Sequence, residues 1–403
     1  MRRVHHLLFV LAACGGGSHD TPAADAPLGD GSGSGSAGCP HLPGADDKPR
    51  HVVVSHPYDD AGNGAPVFEV LDLSQDGVLT RAQPPRTFML GKRASFGTVE
   101  FTPDGQIGVV ALEDGTVGAF MLADDGTVTV TEMGMQGAGY IEKLVMSPGG
   151  DRVWGLDPDT VGNHGGVYEF GIHCDGTLED HGAIVSGDVP RALVLDGQHA
   201  ILAARSMFDQ TPGANDVQLL AWSSMPAAVA SADAFPGVGS DGLDAAIVGG
   251  AALTSDGATV LIGDTSAADL SNTPNRVAVV NVGPGTLTPV TVLSPLEDPE
   301  SIVTSPYGNV AVASSAFGDA LFVIDDQGGW RIRGQVTYSG GRPQLPGDMV
   351  ELRRGGLLGH VFVSENVAIR QLVFHQDGSV KDLGTLDFGD GLSAINGVIG
   401  VTP

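Results

Sequence analysis

A chain of 403 residues can hold one large domain or two to three ordinary ones, and this one carries 60 glycines, 25 prolines and only 5% aromatic residues. That make-up suits a turn-rich all-β protein, with 42% apolar residues left to fill a core. The formal charge is −28 and basic residues cluster only at Arg2-Arg3 and Arg353-Arg354. Phosphate contact needs a positive footprint, so nucleic acid is excluded as a partner. The acidity itself reads either as the solubility of an exposed protein or as a cation-binding face.

Met1–Ala13 places Arg2-Arg3 before the short apolar run Leu7–Ala13, which is too short to span a bilayer as a stable helix. Leu11-Ala12-Ala13-Cys14 resembles a bacterial lipobox. The resemblance implies cleavage before Cys14 and lipidation of its thiol, and Gly15 in the next position implies the outer rather than the inner membrane. The plainer reading is a secretory leader with an incidental cysteine. Residues 14–47 lack apolar periodicity and consist mainly of Gly, Ser, Ala, Pro and Asp, the composition of a flexible tether. Cys39 and Cys174 remain in an oxidising compartment. Either they pair and pin the end of the tether to the domain, or Cys174 is an outer-strand residue and Cys39 is free.

Residues 48–403 are built from one repeated unit, clearest between Thr98 and Glu132. The pattern predicts strands over Thr98–Phe101, Gln106–Leu112, Val117–Leu122 and Thr127–Glu132, joined at Pro103-Asp104-Gly105, Glu113-Asp114-Gly115 and Asp124-Asp125-Gly126. Ile107, Val109 and Val110 are apolar on both strand faces, so this meander is expected to lie between two others. Its first turn recurs around Pro148, Asp196, Asp256, Pro306 and Arg354, and its last hairpin around Asp76, Asp175, Gly285 and Asp377. The two landmarks stay in phase at roughly 45–60 residues, the repeat length of a propeller blade. The first unit, from His51, has three strands, and the chain ends in an inner-strand pattern over Ala394–Pro403. The economical solution is an all-β, seven-bladed propeller of four-stranded antiparallel blades, closed by the C-terminal strand so that no edge is left unpaired.

Pro299–Ala313 resembles the P-x-x-I-x-x-S-P-D-G-x-x-V-Y-V-A repeat of the lactonase-like and YVTN-repeat propellers, and Leu321–Asp325 resembles its following strand. The resemblance implies a seven-bladed propeller and, in the lactonase branch, hydrolysis at the channel mouth. That branch carries a G-P-R-H element before one inner strand. Here Val189-Pro190-Arg191-Ala192 stands in its place, with Ala192 where the His would be.

In a propeller, the connections from second to third strand share one face with the connections between blades. Four of them are long and polar: Ser55–Pro66, Asp157–Gly166, Arg205–Asp216 and Asp264–Arg276. Long loops in a compact domain are often functional, although drift-tolerant insertions look the same. Binding candidates on this face are His56, Asp59, Asp157, Arg205 and Asp264; catalytic candidates are Arg191, Glu300 and His164. Each has a plainer reading in turn chemistry or, for Arg191, in pairing with Glu300 or another rim carboxylate. Asp157–Gly162 opens like a calcium loop, but Val161 replaces a ligand and Tyr168 stands where a bidentate Glu belongs. A looser Ca²⁺ site there stays open; no other metal or cofactor is expected. Gly237–Gly242 fits G-x-G-x-x-G but lies between blades, where it reads as a turn.

The sequence thus points to a cell-envelope protein held to the membrane through a lipid alone. Its propeller is expected to bind an unidentified protein or small molecule. The second reading is a lactonase-like hydrolase. An enzyme should bring ionisable groups together in one channel pocket. A protein binder should offer exposed aromatic anchors, for which Tyr58, Phe208 and Phe317 are the candidates.

Overall fold

The structure is a computed structural model that describes residues 41–44, 48–58, 64–95, 97–137, 139–158, 165–186, 190–195, 199–203, 217–222, 225–235, 248–265, 275–388 and 398–403. Among these residues the chain forms seven four-stranded antiparallel sheets, the blades of a β-propeller. Blade two contains Glu100–Phe101, Ile107–Ala111, Val117–Leu122 and Val128–Met135. These match the four expected strands, with the inner one shortened. Its faces divide as the pattern requires. Ile107, Val109 and Ala111 pack against blade three, whereas Val110 and Leu112 pack against blade one.

That division repeats around the ring. Seven clusters of buried apolar side chains each join residues of two neighbouring blades, so the core is distributed over seven interfaces. Ring closure is made as expected: Ile399–Val401 is the inner strand of blade one and pairs antiparallel with Val52–Val54 of the strand Arg50–Tyr58. Thr402 fastens the end, its N–H donating to the His51 carbonyl (2.9 Å) and its Oγ1 accepting from the His51 N–H (2.8 Å).

The repeated turns owe their shape to one chemical device. Asp104 Oδ1 accepts from the Gln106 N–H (3.0 Å) and the Thr102 hydroxyl (2.6 Å), while Gly105 takes φ 72°. In blade five Asp256 does the same with Ala258 and Thr254. Blade seven departs from the rule, with a 3-10 turn at Gly355–Leu357 in place of a tight turn. The Ser55–Pro66 connection is also shorter than its polar composition suggests. Strands run to Tyr58 and resume at Gly64, because Ser55 and His56 continue the ladder opposite Phe68 and Val67.

Ile399 is fully buried between blades one and seven. Ile399→Ala should therefore lower stability by about 2–5 kcal/mol in urea denaturation. Val229→Ala, at a site 47% exposed, should stay within about 0.5 kcal/mol of the parent chain.

Candidate functional site

Each inner strand starts at the same end of the ring, and the residues at or just before those starts carry most of the charge around the channel. Lys143 opens the inner strand of blade three (Lys143–Met146). Its ammonium reaches past blade four and donates to the Gly249 carbonyl on the inner strand of blade five (Val248–Leu253). Arg191 precedes the inner strand of blade four (Ala192–Leu195) and pairs with Glu142 at 2.8 Å, not with Glu300. Asp298 and Glu300 precede that of blade six (Ile302–Thr304), and Asp348 precedes that of blade seven (Met349–Glu351). Gly97, ahead of blade two, donates its N–H to the Asp348 carboxyl.

Glycines make this convergence possible. A Cβ on Gly263 would lie 2.3 Å from the Pro299 carbonyl oxygen, and one on Gly250 would lie 2.7 Å from that of Glu300. Only hydrogen at these positions lets the Asp298–Glu300 segment settle against blade five. Asp298 bends the chain there with φ 60°, its carbonyl accepting from the Glu300 N–H at 2.9 Å.

The enclosed setting displaces the proton affinities. Burial, then the neighbouring Glu300, pushes the Asp298 carboxyl up to about 8; it holds the proton and donates it to Glu300, whose own affinity burial also raises. Burial lifts Asp348 to about 7 against the opposing pull of Lys143. Desolvation lowers the Lys143 ammonium, with Arg191 adding repulsion. Lys143, Glu142, Arg191, Glu300 and Asp348 nevertheless remain partly open to solvent, so a ligand can reach them. Beyond them the channel continues into a cavity of 710 Å³ bounded by Val145, Leu193, Ala251, Ile302 and Met349.

The other sequence candidates fall elsewhere. His56 is fully buried within its strand, 3.1 Å from Glu69 and edge-on to Phe388. Asp157 is buried and accepts from the Tyr140 N–H at 2.9 Å. Asp264 is buried in an ion pair with Arg276 at 2.9 Å and adds negative field at Asp298. Cys174 is disulfide-bonded. Asp59, His164, Arg205, Phe208, Cys14, Cys39 and the centre of the Asp157–Gly166 loop lie outside the described residues. Of the proposed aromatic anchors, Phe317 is 54% exposed; the Tyr58 side chain is not among the described ones.

Sequence reasoning found Arg191 and Glu300 but missed Lys143, Glu142, Asp298 and Asp348. One signal was available for Lys143: it is one of only four lysines, and with Glu142 it forms a charged pair just before the apolar Leu144–Met146.

No family model matches the chain, and no curated protein matches it. Among solved structures, it is similar to a putative 6-phosphogluconolactonase from Bacteroides fragilis NCTC 9343, with 12% identity, TM-score 0.59 and coverage of 90% of this chain and 100% of that one. The periplasmic gluconolactonase of Pseudomonas aeruginosa is similar at 13% identity and TM-score 0.58, covering 88% and 99%. Hydrazine synthase of Kuenenia stuttgartiensis also superposes, at 12% identity and TM-score 0.52, covering 84% and 97%. Likeness at this level establishes the fold alone. The chain is a seven-bladed β-propeller whose structural neighbours include lactonase-like propellers.

A carboxyl with a folded pKa above its unfolded value keeps a proton that the unfolded chain releases. Stability from Asp298 therefore declines as pH rises from its ordinary value of 3.8 through about 8. Asp298→Asn keeps a donor toward Glu300 but cannot titrate. Urea midpoints measured from pH 5 to 9 should fall less steeply in this variant than in the parent.

Proposed function

We propose that this chain is a lipid-anchored protein of the cell envelope whose propeller binds a small, hydroxyl-rich molecule at the channel mouth. One observation carries the binding reading. Two cationic donors, Lys143 and Arg191, face the carboxyls of Glu142, Glu300 and Asp348 around one opening. A hydroxyl both accepts and donates hydrogen bonds, so a polyol or sugar can answer both kinds of group at once. Tyr140 and Phe317, 44% and 54% exposed, lie on connections at the same end of the ring. For the envelope, the support is the Met1–Cys14 pattern and the disulfide at Cys174, for which we assign Cys39 as partner. The similarity to a periplasmic gluconolactonase agrees with that location.

A second reading, lactone hydrolysis at the same opening, is favoured by the Asp298–Glu300 pair, which shares a proton between two carboxyls. Glu300 as carboxylate would take a proton from water as its oxygen adds to the lactone carbonyl carbon. A neighbouring carboxylic acid would then protonate the ring oxygen as the C–O bond breaks. Arg191 would stabilise the carbonyl oxygen.

Calorimetric titration with a methyl glycoside and with sugar and aliphatic lactones, alongside acid release from the lactones, separates these readings. Arg191→Ala and Glu300→Gln should each weaken binding at least ~10-fold. Binding without turnover selects the binding protein, and turnover lost in both variants selects the hydrolase. A folded parent chain that neither binds nor turns over any of them overturns both.

A further inference from the structure

Lys143 has more chemistry available than its contacts use. An ammonium has three donors, yet among the described residues the one hydrogen bond made by Nζ goes to the Gly249 carbonyl. Lys48 and Lys92 are ion-paired, to Asp124 at 3.0 Å and to Asp114 at 3.5 Å. For Lys143, by contrast, Asp348, Glu300 and Glu142 act through the field, with Arg191 opposing them. No carboxylate oxygen among the described residues lies within ion-pair distance of its nitrogen. The stem is held: its Cγ lies 3.3 Å from where a Cβ on Gly97 would stand. A held amine therefore sits at the channel mouth, within reach of solvent, with carboxyls around it that can trade protons.

We propose that the Lys143 amine captures a small aldehyde or ketone at the channel mouth as a Schiff base. The proposal rests on the reading of the mouth as a site for hydroxyl-rich molecules, of which open-chain sugars are carbonyl compounds. The lone pair of the neutral amine forms a C–N bond to the carbonyl carbon as the C=O π pair moves to oxygen. The nitrogen's extra proton passes to a carboxylate such as Glu300, and the protonated Asp348 carboxyl supplies one to the oxygen. Loss of water from the carbinolamine then gives the imine, so carbonyl compound and amine yield imine plus water. Desolvation favours the neutral amine that begins the sequence.

The test treats the full chain at pH 7.5 with glyceraldehyde and cyanoborohydride, a hydride donor that reduces the imine to a stable amine. Peptide mass spectrometry then locates the adduct among Lys48, Lys92, Lys143 and Lys381. Initial labelling at Lys143 should exceed that at each of the others at least ~10-fold, since exposed lysines are almost wholly protonated at this pH. Lys143→Arg should remove the adduct while keeping the cation and the thermal midpoint. Asp348→Asn should slow labelling without abolishing it. Lys143 labelling no faster than the exposed lysines in the folded parent overturns the proposal. Titration with a methyl glycoside, which has no free carbonyl, runs in parallel. If the glycoside binds and no selective adduct forms, the Schiff base is wrong and the polyol site stands. If the glycoside does not bind, the underlying site reading fails whatever the labelling shows.

Discussion

Everything in this molecule follows from sheets that are apolar on both faces. A four-stranded meander with Ile107 and Val109 on one side and Val110 and Leu112 on the other cannot fold alone, because either face left in water would forfeit its burial. Each blade therefore needs two neighbours, and a row of blades is satisfied only when it closes. Closure falls to Ile399–Val401, which completes blade one from the far end of the chain. The same arrangement consumes the strand side chains in seven interblade cores. Distinctive chemistry is left to the turns, the loops and the places where inner strands begin.

Those strand beginnings form the candidate site. Groups that are far apart in sequence, from Gly97 to Asp348, meet because seven equivalent points of a repeat surround one axis. The crowding has an electrostatic consequence. Several carboxyls crowd one opening and are partly buried there, so Asp298 and Asp348 hold protons more tightly than exposed acids do. Buried charges elsewhere are arranged differently. Arg370 is gripped by Glu365 and by Asp382 at 2.6 Å, and Glu69 by His56 at 3.1 Å and Arg81 at 2.6 Å. Such closed networks brace a blade. The mouth is marked instead by an ammonium set among carboxyls without a direct ion pair to them.

The structural neighbours fit this division between scaffold and site. Similar rings carry the names of lactonases and of hydrazine synthase, so the frame itself selects no reaction. What chemistry this ring supports rests with its own mouth, where Arg191 pairs with Glu142 and Lys143 reaches from blade three to blade five.

Strand order, blade number and closure were legible in the sequence because each depends on local spacing. The Asp-Gly turns set the hairpins, apolar residues on both faces call for neighbours, and a missing inner strand matches a spare one at the C-terminus. Arg191 and Glu300 were legible as well, since both sit at blade-start positions. His56 misled, because a polar residue beside a polar loop looks exposed until the ladder is seen to continue through it to Phe68 and Val67. The partners of Lys143 could not be read along the chain at all. Its hydrogen bond to Gly249 and the field of Asp348 and Glu300 depend on how far each strand start projects toward the axis, and on glycines that let Pro299 approach blade five. Periodicity determined the ring; three-dimensional proximity across its channel decided which charges face one another.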